Sequence, residues 1–295
     1  MINSIKGSLL VAIASNRISA FDVVLSQEIP LKGQVLNQIA AHFLRQTADV
    51  VDNWLLDTPH PSVSVGVECD AYPVEIVVRS CMVGHVWREY VKGVQQVSGV
   101  RFEDGLKEYD RFDPVITPTT KEDEGHDEDI SYEEIIKQGL VTKKELDEIY
   151  ELAYALFARG QEMADERGLV LADTKYELGK HNGKMLLIDE VHTPDSSRYF
   201  YKDSYEAFLA DRSSGVPTNL SKEFVREWLM KEGFSGKENQ EVPDMNDEFV
   251  ASVTDRYVKL YEEITGLSFE PAQADTVEDD MHEAIEASVA KLTRC

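Results

Sequence analysis

Asp173, Lys175 and Glu177 fall at alternate positions of VLADTKYELG, with Thr174, Tyr176 and Leu178 between them. In a strand, the side-chain period of two sets all three charges on one face. Gly179–Lys184 carries an Asn182-Gly183 hairpin signal, and the apolar run Met185–Ile188 then leads into Asp189-Glu190. Two acids and a lysine on one sheet face are too many charges to bury without a ligand. The pattern predicts a metal–phosphate site, with a lobe-bridging salt-bridge network as the competing reading.

Which way the acids face depends on the turn. A strict two-residue Asn-Gly loop sets Glu177 opposite Ile188 and points Asp189 to the other face. An odd loop length or a bulge pairs Glu177 with Asp189 on one face, and only that register lets them share a cation. The sequence leaves both open.

The elements that must position this hairpin can be followed along the chain. Ser8–Ala14 reads as a buried strand running into a polar turn, where Asp22 either caps the turn or binds ligand hydroxyls. Pro30–Gly33 precedes an amphipathic helix with Leu36, Ile39, Ala40, Phe43 and Leu44 at helical spacing and His42 at its surface. Val63–Val67 and Val74–Val78 read as strands, with Pro73 at the start of the second. Residues 94–130 read as irregular, with Pro114, Pro118 and the polar run TPTTKEDEGHDED. A loop of that length is functional or disordered, and His126-Asp127 within it either contact a polar substrate or are simply solvated.

Beyond it, Ser131…Glu134 and Thr142…Glu145 fit capping boxes. The second opens a long helix with Leu146, Ile149, Ala153, Leu156 and Met163 on one face, closing at Arg167-Gly168. Further helices follow Ser221 and run from about Asn246 to Thr265, and their apolar stripes read as core packing. The acidic tail past Glu270 ends in a short helix, Met281–Leu292.

The chain of 295 residues is long enough for two lobes, and Lys+Arg 30 against Asp+Glu 55 gives a net charge of −25. That field argues against nucleic-acid or anionic-membrane partners, and an anionic substrate needs a local cationic pocket or a metal ion. Three cysteines (Cys69, Cys81, Cys295) lack metal-ligand spacing and predict a reducing compartment. With no membrane-length apolar stretch and no signal peptide, the expectation is a cytoplasmic protein, monomer or homo-oligomer.

Several stretches together resemble one family, the phosphoribosylaminoimidazole-succinocarboxamide synthases (SAICAR synthetases). They are NRISAFD (Asn16–Asp22), PLKG (Pro30–Gly33), PVEIVVR (Pro73–Arg79), WREYVKG (Trp87–Gly93), TPTT (Thr117–Thr120), HDEDIS (His126–Ser131), DTKYELG (Asp173–Gly179) and DEVHTPDSSR (Asp189–Arg198). Each is weak alone; in order, to about Gly266, they form a strong signal.

The resemblance implies an α+β, two-lobed, ATP-grasp-related fold with antiparallel sheets and flanking helices. Its parts would be a nucleotide-binding β-rich lobe (1–92), an α+β lobe with the substrate and Mg2+ site (93–268) and the acidic helical tail (269–295). It implies that ATP, L-aspartate and the carboxylated ribotide CAIR give SAICAR, ADP and phosphate, as in purine biosynthesis.

The residue roles it implies match phosphoryl-transfer chemistry, which needs Mg2+ and positive groups more than a covalent nucleophile. Glu177 and Asp189 match the family's metal positions, and hard carboxylate oxygens suit Mg2+. Lys175 would neutralise the carboxylate or phosphoryl group while Asp173 contacts the ribotide. Arg79 and Arg198 would grip the ribotide phosphate or reacting carboxylate through their planar forks, with Ser196 and Ser197 as added donors. Glu75 to Val78, Val77 included, would face adenine through the backbone as an inter-lobe hinge, Lys32 would join the nucleotide site, and His126 and Asp127 would help hold the amino acid.

Three departures from the pattern stand out. Relatives begin with a Gly-Lys-Val-Arg-like turn whose N–H groups cover the ATP phosphates, and Lys6-Gly7 does not replace it. A truncated or misassigned start, or a protein without that flap, would explain this. His85 in VGHVW stands where relatives have a serine, and would clash with the ribotide or donate to its phosphate. Leu178 replaces an aromatic residue. These leave two alternatives beside the ligase: an impaired homologue that binds purine-pathway nucleotides, and a same-fold enzyme acting on another phosphoribosyl substrate.

Overall fold

The computed structural model describes residues 8–21, 23–121, 128–220, 223–236, 240–272 and 277–294. Lys6-Gly7, Asp22, His126 and Asp127 lie outside the described residues. The first third holds β1 (Leu9–Ile13), β2 (Ser19–Ala20), β3 (Val23–Val24), α1 (Lys32–Gln46), β4 (Leu55–His60), β5 (Val63–Val67), β6 (Asp70–Ala71), β7 (Val74–Cys81) and α2 (Gly84–Val91). The middle adds β8 (Gln96–Val97), β9 (Val100–Arg101), β10 (Arg111–Ile116), β11 (Thr119–Thr120), α3 (Tyr132–Gln138), α4 (Lys143–Glu166), β12 (Leu169–His181), β13 (Lys184–Ile188) and β14 (Ser197–Tyr201). Four helices follow: α5 (Lys202–Ala210), α6 (Glu223–Lys231), α7 (Asp247–Thr265) and α8 (Val277–Thr293).

Two antiparallel sheets carry the architecture. The smaller has the order β1-β5-β4, and the larger is built on β10-β7-β12-β13, with β11 beside β7 and β6 and β14 beside β12. Both N-caps form: Ser131 accepts from Glu134 N–H and Thr142 from Glu145 N–H. The stripe of α4 then packs behind β12, where Tyr176 and Leu178 point into the same core as Leu146, Ile149, Ala153 and Leu156. With its back sealed in this way, β12 offers its other face, Asp173, Lys175 and Glu177, to whatever lies in front.

The stretch after residue 93 is more ordered than its sequence indicates. Ser98 and Gly99, both at positive φ, close the β8–β9 hairpin, and β10 pairs with β7 despite Pro114. Proline is tolerated there because β10 is an edge strand whose register shifts between Arg111 and Val115.

The two sheets divide well before residue 92. The chain crosses from one sheet to the other between Val67 and Asp70, so β7 belongs to the larger sheet. An apolar run such as PVEIVVR marks a buried strand without saying which sheet will take it. The tail is not a free appendage, since α8 packs Met281, Ile285, Val289 and Leu292 over Val63, Val65, Leu9 and Val11 of the smaller sheet. That sheet meets α1 through its other face, where Ser64 Oγ donates to Asn37 Oδ1 at 2.7 Å. No helix among the described residues is long and apolar enough to cross a membrane.

Candidate active site

The hairpin adopts the strict register. His181 faces Lys184 across Asn182 and Gly183, both at positive φ, and Glu177 lies opposite Ile188. Pleat geometry alone would then send Asp189 away from Glu177. It does not, because Asp189 itself has φ 60 and leaves the strand, which brings its carboxyl within hydrogen-bonding reach of Glu177. Trp54, in the bend just before β4, holds that turn, its indole N–H donating to the Asp189 carbonyl at 3.1 Å. The two carboxylates meet through a backbone turn that neither anticipated register contained.

Beside β12, β7 runs antiparallel, with Arg79 opposite Asp173 and Val77 opposite Lys175. Alternation therefore brings Glu75 and Arg79 to the same face as the β12 charges. Lys175 Nζ lies 2.5 Å from Glu75 Oε1 and 2.7 Å from Glu177 Oε1, and Lys121 Nζ pairs with Glu177 Oε2. Burial alone would raise the Glu177 pKa, but the Lys175 charge and the Lys121 hydrogen bond outweigh it and hold Glu177 below the usual carboxylate range. Burial would lower Lys175, and the charges of Glu177 and Glu75 overcome that and raise it. Asp189 stands at an open edge of the cleft, yet loss of hydration against the cleft walls first, and the Glu177 charge second, push its pKa up.

A second group lies at the other end of the same strands. Arg79 and Arg198 both pair with Asp173 Oδ2, Arg79 Nη1 at 2.7 Å, and Arg79 Nε donates to Thr117 Oγ1 at 2.8 Å. They open onto a cavity of about 190 Å3 lined also by His85, Ser196, Ser197 and Arg226. Gly84 sits against Arg198: a Cβ there would lie 2.4 Å from the guanidinium, at φ 62, so the Gly of the VGH motif makes room for the arginine. His85 Nε2 is 2.8 Å from Asp129 Oδ2. Burial would raise Asp129, but the His85 hydrogen bond overrides it and lowers it. Ser197 is turned inward on Thr174 Oγ1 at 2.7 Å, and Ser196 Oγ lies 3.4 Å from the Thr193 carbonyl.

The structure thus gathers Asp173, Lys175, Glu177, Asp189, Arg79, His85, Ser196, Ser197 and Arg198 along one cleft. Glu75 to Val78 and Lys32 have partners within the chain. The backbone of Glu75 to Val78 is bound into ladders with β10, β11 and β12, so the crossing at Glu68-Cys69, not this segment, joins the sheets, and Glu75 contributes a carboxylate. Lys32, buried at the start of α1, binds Asp195 Oδ2 at 3.0 Å, and Tyr257 donates to Asp195 Oδ1 at 2.8 Å. Lys121, Asp129, Asp195 and Arg226 were not singled out from sequence. Lys121 directly follows TPTT and Asp195 lies inside TPDSSR, so motif neighbourhood was the available signal.

Among the described residues no group of three or more His, Cys, Asp or Glu side chains is arranged as a complete metal cage. The Glu177–Asp189 pair nevertheless fits Mg2+, an ion usually held by one or two carboxylates with water and phosphate completing its shell. Loss of hydration first, and the charge of Glu177 second, disfavour the ionised Asp189 carboxyl, and a divalent cation would offset both.

The SAICAR synthetase family model matches residues 3–243. A phosphoribosylaminoimidazole-succinocarboxamide synthase of Bacteroides thetaiotaomicron is 55% identical over 269 residues, covering 90% of this chain and 85% of that protein. The SAICAR synthase of Saccharomyces cerevisiae complexed with SAICAR superposes with a TM-score of 0.75 at 28% identity, covering 89% of this chain and 91% of that one. A SAICAR synthetase in complex with ADP shares the fold, with a TM-score of 0.67 at 21% identity over 90% of this chain and 95% of that one. With its sheets and cleft residues disposed as described and its sequence matched over most of its length, the chain belongs to the SAICAR synthetase family.

Proposed function

We propose that the chain joins L-aspartate to CAIR with cleavage of ATP, releasing SAICAR, ADP and phosphate, as a cytoplasmic ligase; the free thiols Cys69 and Cys81 suit that compartment. The observation that carries the reading is the sharing of one strand face by two charge groups. The carboxylate–lysine group suits a nucleotide phosphate, and the arginine-lined cavity suits a ribotide phosphate.

Arg79 and Arg198 bind and orient the ribotide, and Asp173, fixed between them, keeps both guanidiniums aimed and accepts from a ribose hydroxyl. Lys175 sits between the groups and neutralises the CAIR carboxylate as its oxygen attacks the γ-phosphorus and ADP leaves. The aspartate amine then adds to the acyl carbon, phosphate departs, and the amine gives up its proton. Glu177 and Asp189 would hold Mg2+, which would supply charge neutralisation on the phosphoryl oxygens. Lys121 is placed to follow the negative charge from Glu177 to the phosphoryl group. The test is ADP release from the purified chain, which is expected to require both CAIR and L-aspartate. ADP release that ignores aspartate, or ribotide binding without turnover, would reject the reading.

A further inference from the structure

A cavity of about 300 Å3, at the low end for small-ligand pockets, lies toward the far end of α1, where the helix meets the β4–β5 turn and the end of α7. It shares no lining residue with the arginine cavity. Gln38, His42 and Arg45 face it from successive turns of α1, and His60 closes it from the turn. Among the described residues, Gln38 Nε2 and His60 Nε2 are buried without a hydrogen-bond partner. His60 is only 7% exposed, and its Nδ1 accepts from Ser62 N–H at 3.1 Å, so in the neutral ring the proton sits on Nε2. Arg45 is fixed by Thr58 Oγ1 at 2.5 Å. Arg45 is the guanidinium of the lining; Arg167 lies outside it, donating to the Thr265 carbonyl at 2.9 Å, and with burial first the charges of Arg167 and Arg45 lower the His42 pKa.

The lining holds no carboxylate. Of the nearby acids, Asp49 is taken by Arg159 at 2.8 Å, Asp280 acts on His60 through its charge and Glu270 acts on Tyr261. In a chain with 55 acids and 30 bases, a lining that offers the Arg45 guanidinium, two imidazoles and the Gln38 amide and no carboxylate departs from the general field, with Asp280 acting on it only from outside the lining. The ligand it suits has several acceptor oxygens and negative charge, which a phosphate group supplies in one compact unit.

We infer that the Gln38–His42–Arg45–His60 cavity is a second anion site, taking the phosphate of a small phosphorylated molecule. The inference is independent of the ligase reading, because none of these residues belongs to the catalytic cleft.

Calorimetric titration with pyrophosphate tests it, using the full chain carrying Arg198→Ala to weaken the cleft's own phosphate affinity. A remaining binding event is expected, weakened at least tenfold by Arg45→Ala and by His60→Ala. Arg45→Ala alone, in the otherwise native chain, should leave aspartate-dependent ADP release unchanged. Tighter binding of AMP than of inorganic phosphate would identify a phosphomonoester; equal binding would identify free phosphate. Loss of all pyrophosphate binding in the Arg198→Ala protein, or binding indifferent to Arg45→Ala, would overturn the inference. Should His60→Ala not fold, a tungstate soak of the unaltered protein decides: density between Arg45 and His60 supports the site, and its absence there rejects it.

Discussion

Lys175 keeps three carboxylates close together. It bonds Glu75 and Glu177 directly, and Asp189 adjoins Glu177. Lys175→Met leaves the acids facing one another and removes the positive charge next to the proposed reacting oxygen. Aspartate-dependent ADP release should fall on the order of 10²–10³-fold, the scale seen when one preorganised electrostatic donor is lost. Pairing also sets a pH dependence. Because the Asp189 pKa is raised, protons compete with a cation at this residue as pH falls toward that elevated value. The stabilisation that Mg2+ gives the protein, measured as a shift in Tm, should be larger at pH 8 than at pH 5, and Asp189→Asn should flatten the difference. The alternation of DTKYELG revealed the three β12 charges from sequence, since a strand's period needs no partner. Glu75 and Lys121 were not legible in the same way, because their meeting with Lys175 and Glu177 depends on strand pairings across long stretches of chain. Asp189 was half legible: its residue type marked it, but its positive φ, which decides where the carboxyl goes, left no trace in the period of the strand.

At the scale of elements, the DEVHTPDSSR loop is anchored by His192, which is fully buried at φ 55. Its Nε2 lies 2.6 Å from Tyr176 Oη, and Tyr199 donates to its carbonyl at 3.0 Å. Gly160 of α4 makes the space: a Cβ there would come within 2.5 Å of the ring. Burial drops the His192 pKa from 6.5 to about 3. The folded chain therefore refuses a proton that the unfolded chain accepts, and stability is lost as pH falls through 6.5 toward 3. Between neutrality and pH 5 the loss is about 2 kcal/mol from this residue. Urea denaturation at the two pH values measures it, and His192→Phe should remove that part of the acid sensitivity. Helix limits such as Ser131 and Thr142 were legible because caps are local chemistry, whereas β10 was hidden by Pro114, whose cost vanishes only because the strand is an edge.

For the whole molecule, α8 closes the outer face of the sheet whose other side meets α1. Removing residues 277–295 uncovers Val63 and Val65, both fully buried, along with partly buried Leu9 and Val11. At about 25 cal/mol per Å2 of apolar surface, the loss is on the order of 3–5 kcal/mol. Hydrogen exchange should quicken first in β1, β4 and β5 and leave β7 and β12 protected. A truncated chain that melts like the full one would show the helix to be dispensable. The acidity of the tail gave no sign of this docking. Its apolar positions, Met281, Ile285, Val289 and Leu292, signalled a helix but could not name the sheet beneath.

Trp54 joins these scales. Its amide donates to the Leu187 carbonyl and its indole to that of Asp189, so a fluorophore at the entrance to β4 is wired to the backbone of an acid at the exit of β13. Any cation that draws Asp189 inward must tug on that indole and alter its polarity. In a chain with Trp87→Phe and Trp228→Phe, the emission of Trp54 should shift as Mg2+ is added and stay still when Asp189 is replaced by Asn. Such a shift would make Trp54 a built-in optical gauge of whether the carboxylate pair is filled.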